Sequence, residues 1–200
     1  CLGERGRESF LQMIRQEGVP FDYLPMPGEV RTNLKLLDNS TRAITEFNEP
    51  GISMDSAQLE DFLTLLGEKA GESEYVVLSG RLPEGCAEAT YQRCLKTLEG
   101  KKCVLDCAGE TLLHGVKERP FLIKPNNHEL GEIFGKELNR DEEITQAARK
   151  LQQRGARNVL VSMAGDGALL LDETGAVHRI GTPKGKVVNL SLIHISEPTR

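Results

Sequence analysis

Lysine, amide and carboxylate side chains follow a short apolar segment in the middle of the sequence. Residues 121–123 form that segment, and Lys124, Asn126 and Glu129 come directly after it. In open α/β sheets the ligand crevice lies beyond the carboxyl ends of the strands, so these side chains could face phosphates and a metal ion. Asn126 and Glu129 also fit a capping box, in which both satisfy backbone amides of the next helix. For this stretch alone capping is the stronger interpretation.

Segments of strand and helix character alternate along the chain and would position these side chains. Short apolar segments of strand type occur at residues 21–24, 75–78, 103–106, 121–124 and 158–163. Amphipathic helix patterns occupy residues 8–17, 53–66, 91–98, 110–118 and 142–154. The alternation predicts an α/β fold with a mostly parallel sheet flanked by helices. Residues 168–171 and 177–180 follow a hairpin turn expected at Asp166-Gly167 and predict an antiparallel edge.

A polar hairpin is predicted early in the chain. Residues 30–37 and 43–47 flank the turn-forming residues 38–41, which is the pattern of an antiparallel strand pair. Arg31 and Asn33 alternate onto one face of it. The pair is either a lid laid over a ligand or a hairpin with one solvated face, and the pattern alone favours the solvated face.

Composition excludes several classes of protein. The chain has 200 residues, 38% of them hydrophobic, and a formal net charge of −5, which argues against a nucleic-acid partner. The sequence has neither an apolar run of membrane-spanning length nor a signal-peptide pattern at its start, so we expect no membrane partner and a cytoplasmic location. The five cysteines form no Cys-x-x-Cys pair and are interpreted as reduced thiols, with little support for zinc or disulfides.

Five motifs together resemble the PfkB sugar kinases of the ribokinase superfamily. In chain order they are Arg31-Thr-Asn33, Ser79-Gly-Arg-Leu-Pro-Glu-Gly85, Asp106, Lys124-Pro-Asn-Asn-His-Glu129 and Ser162-Met-Ala-Gly-Asp-Gly-Ala168. The likeness extends over residues 1–189, which we expect to form one ribokinase-like unit with a lid hairpin at about 29–51. Within the family, the hairpin segment is most similar to kinases that act on fructose 1-phosphate, with the tagatose 6-phosphate kinases next.

The resemblance implies a role for each motif in phosphoryl transfer, where a protein mainly positions phosphates and neutralises charge. The residues implied for binding the sugar phosphate are Arg31, Asn33, Ser79 and Gly80. Those implied for binding ATP are Lys124, Asn126, Ser162, Gly165 and Gly167. Those implied for holding Mg²⁺, mainly through water, are Asn126, Glu129 and Asp106. Alternatives stay open: Asp106 as a loop cap, Gly165 as a hairpin-turn residue, and Arg81 either as a further phosphate ligand or as an exposed loop residue.

The resemblance also implies an activity and partners. It implies ATP- and Mg²⁺-dependent phosphorylation of a small-molecule ketose phosphate, with fructose 1-phosphate converted to fructose 1,6-bisphosphate as the leading expectation. Tagatose 6-phosphate or fructose 6-phosphate are alternative substrates, and a non-catalytic module that binds sugar phosphate or nucleotide is an alternative of another class. A homodimer through the lid is expected for the full-length protein.

Two parts of the family pattern have no counterpart in this sequence. These are the N-terminal strands with their Gly-Gly loop, and a Gly-Ala-Gly-Asp motif whose aspartate acts as the base. We therefore assign no catalytic residue, expect the sequence to be a fragment, and expect the 200-residue chain to be inactive as written. Residues 190–200 are interpreted as a non-native tail that resembles a translated sequencing adapter.

Overall fold

A computed structural model describes residues 1–41 and 43–182 of the chain. Its strands are β1 (Leu2–Arg5), β2 (Pro25–Glu29), β3 (Asn33–Leu37), β4 (Ile44–Asn48), β5 (Tyr75–Ser79), β6 (Lys102–Asp106), β7 (Leu122–Ile123), β8 (Asn158–Ser162), β9 (Ala168–Leu171) and β10 (Val177–Ile180). Its α-helices are α1 (Arg7–Gln16), α2 (Ser56–Ala70), α3 (Thr90–Thr97), α4 (Gly109–Val116), α5 (Asn127–Phe134) and α6 (Asp141–Arg154).

Within residues 1–41 and 43–182, the main sheet has six strands in the order β10-β9-β8-β7-β6-β5. Neighbouring strands from β5 to β8 are parallel, whereas β9 is antiparallel to both β8 and β10. Since the four parallel strands run the same way, their carboxyl ends meet at one edge. The predicted α/β fold with a mostly parallel sheet and an antiparallel edge is confirmed.

The core lies between the sheet and its helices. Leu105 of β6, Ile123 of β7 and Val159 of β8 are fully buried, as are Leu112 of α4 and Leu151 of α6. Burial of this kind stabilises the fold by about 1.5–3 kcal/mol for each large apolar side chain. This packing holds the carboxyl ends of the strands in fixed relation to one another.

One close approach between elements requires glycine. Gly155 ends α6 with a φ of +140°, and a Cβ added there would lie 2.2 Å from the carbonyl oxygen of Val116. No side chain can occupy that space without moving the end of α4. The glycine therefore sets how closely α6 approaches α4.

Two small strand pairs lie outside the main sheet. The predicted hairpin is confirmed as β3 and β4, which pair with Leu34 opposite Phe47, and all ten residues of its two strands are exposed. The other pair, β1 with β2, is parallel. The strand predicted at residues 21–24 is wrong, because the strand occupies Pro25–Glu29 instead. This strand is not recognisable from the sequence because it contains two prolines and a glycine, which are rare in strands. They are tolerated here because β2 pairs only with β1 among the described strands.

The turn between β8 and β9 also differs from the prediction. Instead of a two-residue turn at Asp166-Gly167, residues 163–167 form the connection, with a short 3-10 turn at Ala164–Asp166. The interpretation of residues 190–200 as a non-native tail falls outside the described residues. Within those residues, no helix is both long and apolar enough to span a bilayer.

Candidate active site

Polar residues form a row along the carboxyl edge of the parallel strands. Ser79 ends β5 and is the register partner of Asp106, which ends β6. Lys124 follows β7 directly, and its backbone amide donates to the Leu105 carbonyl. Ser162 ends β8 and forms an isolated bridge with Asn126. The main sheet therefore brings residues that are far apart in sequence into one polar row.

Asp106 is the most connected side chain of this row. Its Oδ1 lies 3.1 Å from Lys124 Nζ, and both side chains are about one third exposed. Its Oδ2 accepts a long hydrogen bond of 3.4 Å from Ser79 Oγ. The aspartate thus links a lysine and a hydroxyl at the mouth of the sheet, where water and ligands can reach them.

The capping interpretation of Asn126 and Glu129 is confirmed. Asn126 Oδ1 accepts a hydrogen bond from the Glu129 amide at 2.8 Å, and Glu129 Oε2 accepts one from the Asn126 amide at 2.8 Å. Within the described residues, Glu129 Oε1 has no hydrogen-bond partner. The cap therefore holds the carboxylate in place while leaving one oxygen for another ligand.

The thiol of Cys107 reports the electrostatics of this edge. Its pKa is raised to about 12, mainly by burial and in smaller part by the negative charges of Asp106 and Glu129. Two carboxylates thus act on one half-buried thiol, so the edge carries a concentration of negative charge.

The donor set at this edge suits magnesium. Asp106 and Glu129 offer carboxylate oxygens and Asn126 offers an amide oxygen, which are the hard ligands that Mg²⁺ takes, usually with several waters. Among the described residues, a separate group of three potential ligands lies elsewhere: Glu88, Glu110 and His114 place ligand atoms within 4.8 Å of one another. Those residues belong to the loop before α3 and to α4, outside the polar row.

A cavity of about 470 Å³ adjoins the polar row. Arg31 lines it from the segment before the hairpin, Ser79 from the end of β5, and Arg81 from the loop after β5. Arg31 Nε donates to Asn33 Oδ1 at 2.8 Å, which leaves the terminal nitrogens of the guanidinium free within the described residues. Since Ser79 both lines the cavity and contacts Asp106, it joins the cavity to the row.

Gly80 and its neighbour Tyr91 show how the loop after β5 is held. Gly80 adopts a φ of +104° and is absent from the cavity lining, but its carbonyl accepts a hydrogen bond from the Tyr91 hydroxyl at 2.9 Å. Burial raises the pKa of Tyr91 to about 12, which keeps the hydroxyl a donor. From the sequence, Tyr91 is only the first residue of the helix pattern at 91–98, and nothing in its spacing indicates this bond.

The glycines after β8 have different environments. A Cβ at Gly167 would lie 2.0 Å from the Ile180 carbonyl oxygen, and its φ is +88°, so the contact between β9 and β10 alone explains glycine there. Gly165 has open space around its Cβ position, and its carbonyl accepts a hydrogen bond from Thr182 Oγ1 at 2.8 Å. Only Gly165 therefore leaves its backbone open to an approaching ligand.

Comparison with known proteins agrees with this arrangement. The chain is 38% identical over 178 residues to the 1-phosphofructokinase of Bacillus subtilis, an alignment that covers 88% of this chain and 57% of that protein. It is 35% identical over 194 residues to the 1-phosphofructokinase of Vibrio cholerae, covering 94% and 59% respectively. The chain thus spans less than two thirds of the length of these relatives.

A solved structure has the same fold. Phosphofructokinase-2 from Escherichia coli in complex with potassium superposes with a TM-score of 0.82 at 25% identity, covering 92% of this chain and 60% of that one. Residues 1–190 match the pfkB family of carbohydrate kinases. Because that match extends over nearly the whole sequence, the chain belongs to the pfkB family of carbohydrate kinases.

Proposed function

We propose that the complete product of this gene transfers the terminal phosphoryl group of ATP to a ketose phosphate, with fructose 1-phosphate as the substrate. One observation carries the proposal: Ser79 lies in the arginine-lined cavity and also contacts Asp106 in the polar row. A sugar phosphate in the cavity would then have its acceptor end close to a metal-bound nucleotide. The similarity of the chain to the 1-phosphofructokinases of Bacillus subtilis and Vibrio cholerae supports this choice of substrate.

The cavity would bind the sugar phosphate. Arg31 would hold the phosphate that the sugar already carries, because a guanidinium matches the geometry of phosphate oxygens. Its bond to Asn33 fixes the guanidinium plane. Ser79 Oγ would add a contact to the same group, and Gly80, whose carbonyl is held by Tyr91, would position the loop that follows.

The polar row would bind the nucleotide and its metal. The Lys124 ammonium group forms an ion pair with Asp106, and a phosphate group of the nucleotide could replace Asp106 as its partner. Asp106, Asn126 and Glu129 would hold Mg²⁺, largely through water, and the ion would neutralise charge on the transferring group. Ser162 and Gly165 would line the nucleotide, and Gly167, whose backbone groups are already paired, would hold the turn that presents Gly165. We assign these residues to binding and charge neutralisation, and none of them to proton transfer.

The direct test is an assay of the complete gene product with ATP, Mg²⁺ and a panel of sugars. We expect phosphorylation of fructose 1-phosphate with the highest kcat/KM. Higher kcat/KM for tagatose 6-phosphate or fructose 6-phosphate would move the assignment within the family. Binding of these ligands without turnover would replace the kinase proposal by a binding module.

The hairpin would also join two subunits. Leu34, Leu36 and Phe47 are each more than half exposed, and Leu34 and Phe47 are direct cross-strand neighbours. A second hairpin would cover these side chains, and a two-stranded hairpin is only marginally stable by itself. Sedimentation of the complete product should give a dimer, and Phe47→Glu should shift it toward monomer. A monomer at every concentration would contradict the proposal.

A further inference from the structure

The loop after β5 is anchored on both sides of Arg81. On one side, the Gly80 carbonyl accepts the hydrogen bond from Tyr91. On the other side, the Glu84 amide donates to the Ile52 carbonyl at 3.3 Å, and the Glu84 carbonyl accepts from the Met54 amide at 2.8 Å. Arg81 therefore projects from a short segment with fixed ends, in contrast to an arginine on a free loop.

Arg31 is held against the same segment of chain. Its side chain passes over Gly51, where a Cβ would lie 3.5 Å from Arg31 Cδ, and Gly51 adopts a φ of +88°. Gly51 directly precedes Ile52, which anchors the loop that carries Arg81. Residues 51–54 thus support both arginines, which explains why both line one cavity.

The charge in this cavity is unbalanced. Arg31 bonds to the neutral Asn33 amide, and Arg81 has no hydrogen bond or ion pair within the described part of the chain. Among the described residues of the lining, Glu29 is the one acidic side chain, and it lies 3.6 Å from Arg5, which compensates its charge. Two guanidinium groups that have no carboxylate partner in residues 1–41 and 43–182 therefore share one cavity in a protein whose formal net charge is −5.

We infer that Arg81 is a second phosphate-binding residue, which acts with Arg31 on the phosphate that the sugar carries and thereby selects ketose phosphates over free ketoses. This inference rests on the proposed function and deepens it. A phosphate dianion matches two guanidinium groups in charge, and each can donate two parallel hydrogen bonds to it. The pair would set substrate choice, because a free ketose leaves both guanidinium groups uncompensated.

The test compares Arg81→Gln and Arg81→Lys in the complete gene product. We expect Arg81→Gln to raise KM for fructose 1-phosphate by about tenfold to a hundredfold, the loss of a charge-assisted contact, while KM for ATP changes less than about twofold. Activity toward fructose should be unaffected, so the preference for fructose 1-phosphate falls by the same factor. Arg81→Lys should recover part of the loss. Arg140→Gln is the matched control, because Arg140 is exposed and does not line the cavity.

A double-variant cycle tests whether both arginines bind one group. If both arginines bind the same phosphate, the double variant should raise KM for fructose 1-phosphate by less than the product of the two single-variant factors. An unchanged KM for fructose 1-phosphate in a folded Arg81→Gln protein overturns the inference and leaves the proposed function intact. Equal increases in KM for ATP and sugar phosphate overturn it as well. An unaltered protein that phosphorylates no ketose phosphate overturns both.

Discussion

The capping pair at the start of α5 allows its structural and metal-binding roles to be separated by substitution. Asn126→Ala removes the side chain that accepts a hydrogen bond from the Glu129 amide. The substitution should therefore lower the free energy of unfolding by about 1 kcal/mol, as the loss of an N-cap does in other helices. In Glu129→Gln the amide oxygen can still accept from the Asn126 amide, so the cap and the stability should be nearly preserved. Only the negative charge and the free carboxylate oxygen are lost.

Glu129→Gln should therefore change metal dependence without changing stability. We predict that it raises the Mg²⁺ concentration for half-maximal kinase activity by about 10- to 100-fold, the usual effect of removing a group that orients metal-bound water. The melting temperature should change little for Glu129→Gln and should fall by roughly 2–4 °C for Asn126→Ala. The measurements are a magnesium titration of activity at saturating substrates and a melting curve for each variant.

The chain contains its own control. Asp55 and Gln58 form the same capping box at the start of α2, with both hydrogen bonds at 2.9 Å. Asp55→Ala should lower stability as Asn126→Ala does, with no effect on magnesium dependence. If Glu129→Gln left the magnesium titration unchanged, Asn126 and Glu129 would have only a capping role, and their assignment to magnesium would be wrong.

Three further predictions concern the cavity, the core and a thiol. Arg31→Ala should raise KM for the sugar phosphate by roughly tenfold to a hundredfold and leave KM for ATP nearly unchanged; equal losses would indicate a folding defect. Gly155→Ala should lower the melting temperature by roughly 4–8 °C because its Cβ meets the Val116 carbonyl, whereas Gly165→Ala, with open space, should not. Cys107 should react very slowly with a thiol-specific reagent at pH 8 in the native protein, because only the thiolate reacts. The rate of this reaction should rise about tenfold per pH unit up to the thiol pKa of about 12. A rate equal to that in urea at pH 8 would contradict this.

The parallel strands of the main sheet could be predicted because they read as short apolar segments between amphipathic helices, even in β5, where Tyr75 and Val77 are exposed. The strands at residues 75–79 and 158–162 lie within a residue of their predicted ends. The pair β1 and β2 could not be predicted in the same way. Pro25, Pro27 and Gly28 contradict strand propensity, and that pairing depends on contact between segments that are distant in sequence.

The candidate site was predictable in its residue types more than in its contacts. Strand ends carrying Ser79, Asp106 and Lys124 could be located from the pattern, since carboxyl ends of parallel strands share one edge. The fixed position of Arg81 could not, because it depends on Tyr91 and on residues 51–54, which approach the loop only in the folded chain. The spacing of residues along the sequence does not indicate these contacts between the loop, Tyr91 and residues 51–54.

The position of Glu129 shows why a cap and a metal site need not exclude each other. A carboxylate has two oxygens, and the cap uses Oε2 alone. Holding that oxygen against a backbone amide restricts the rotamers of the side chain, so less entropy is lost when Oε1 takes a hydrated ion. The same hydrogen bond that begins α5 would thus preorganise the ligand. The prediction for Glu129→Gln follows directly: the amide keeps the orientation but not the charge, and magnesium responds to the charge.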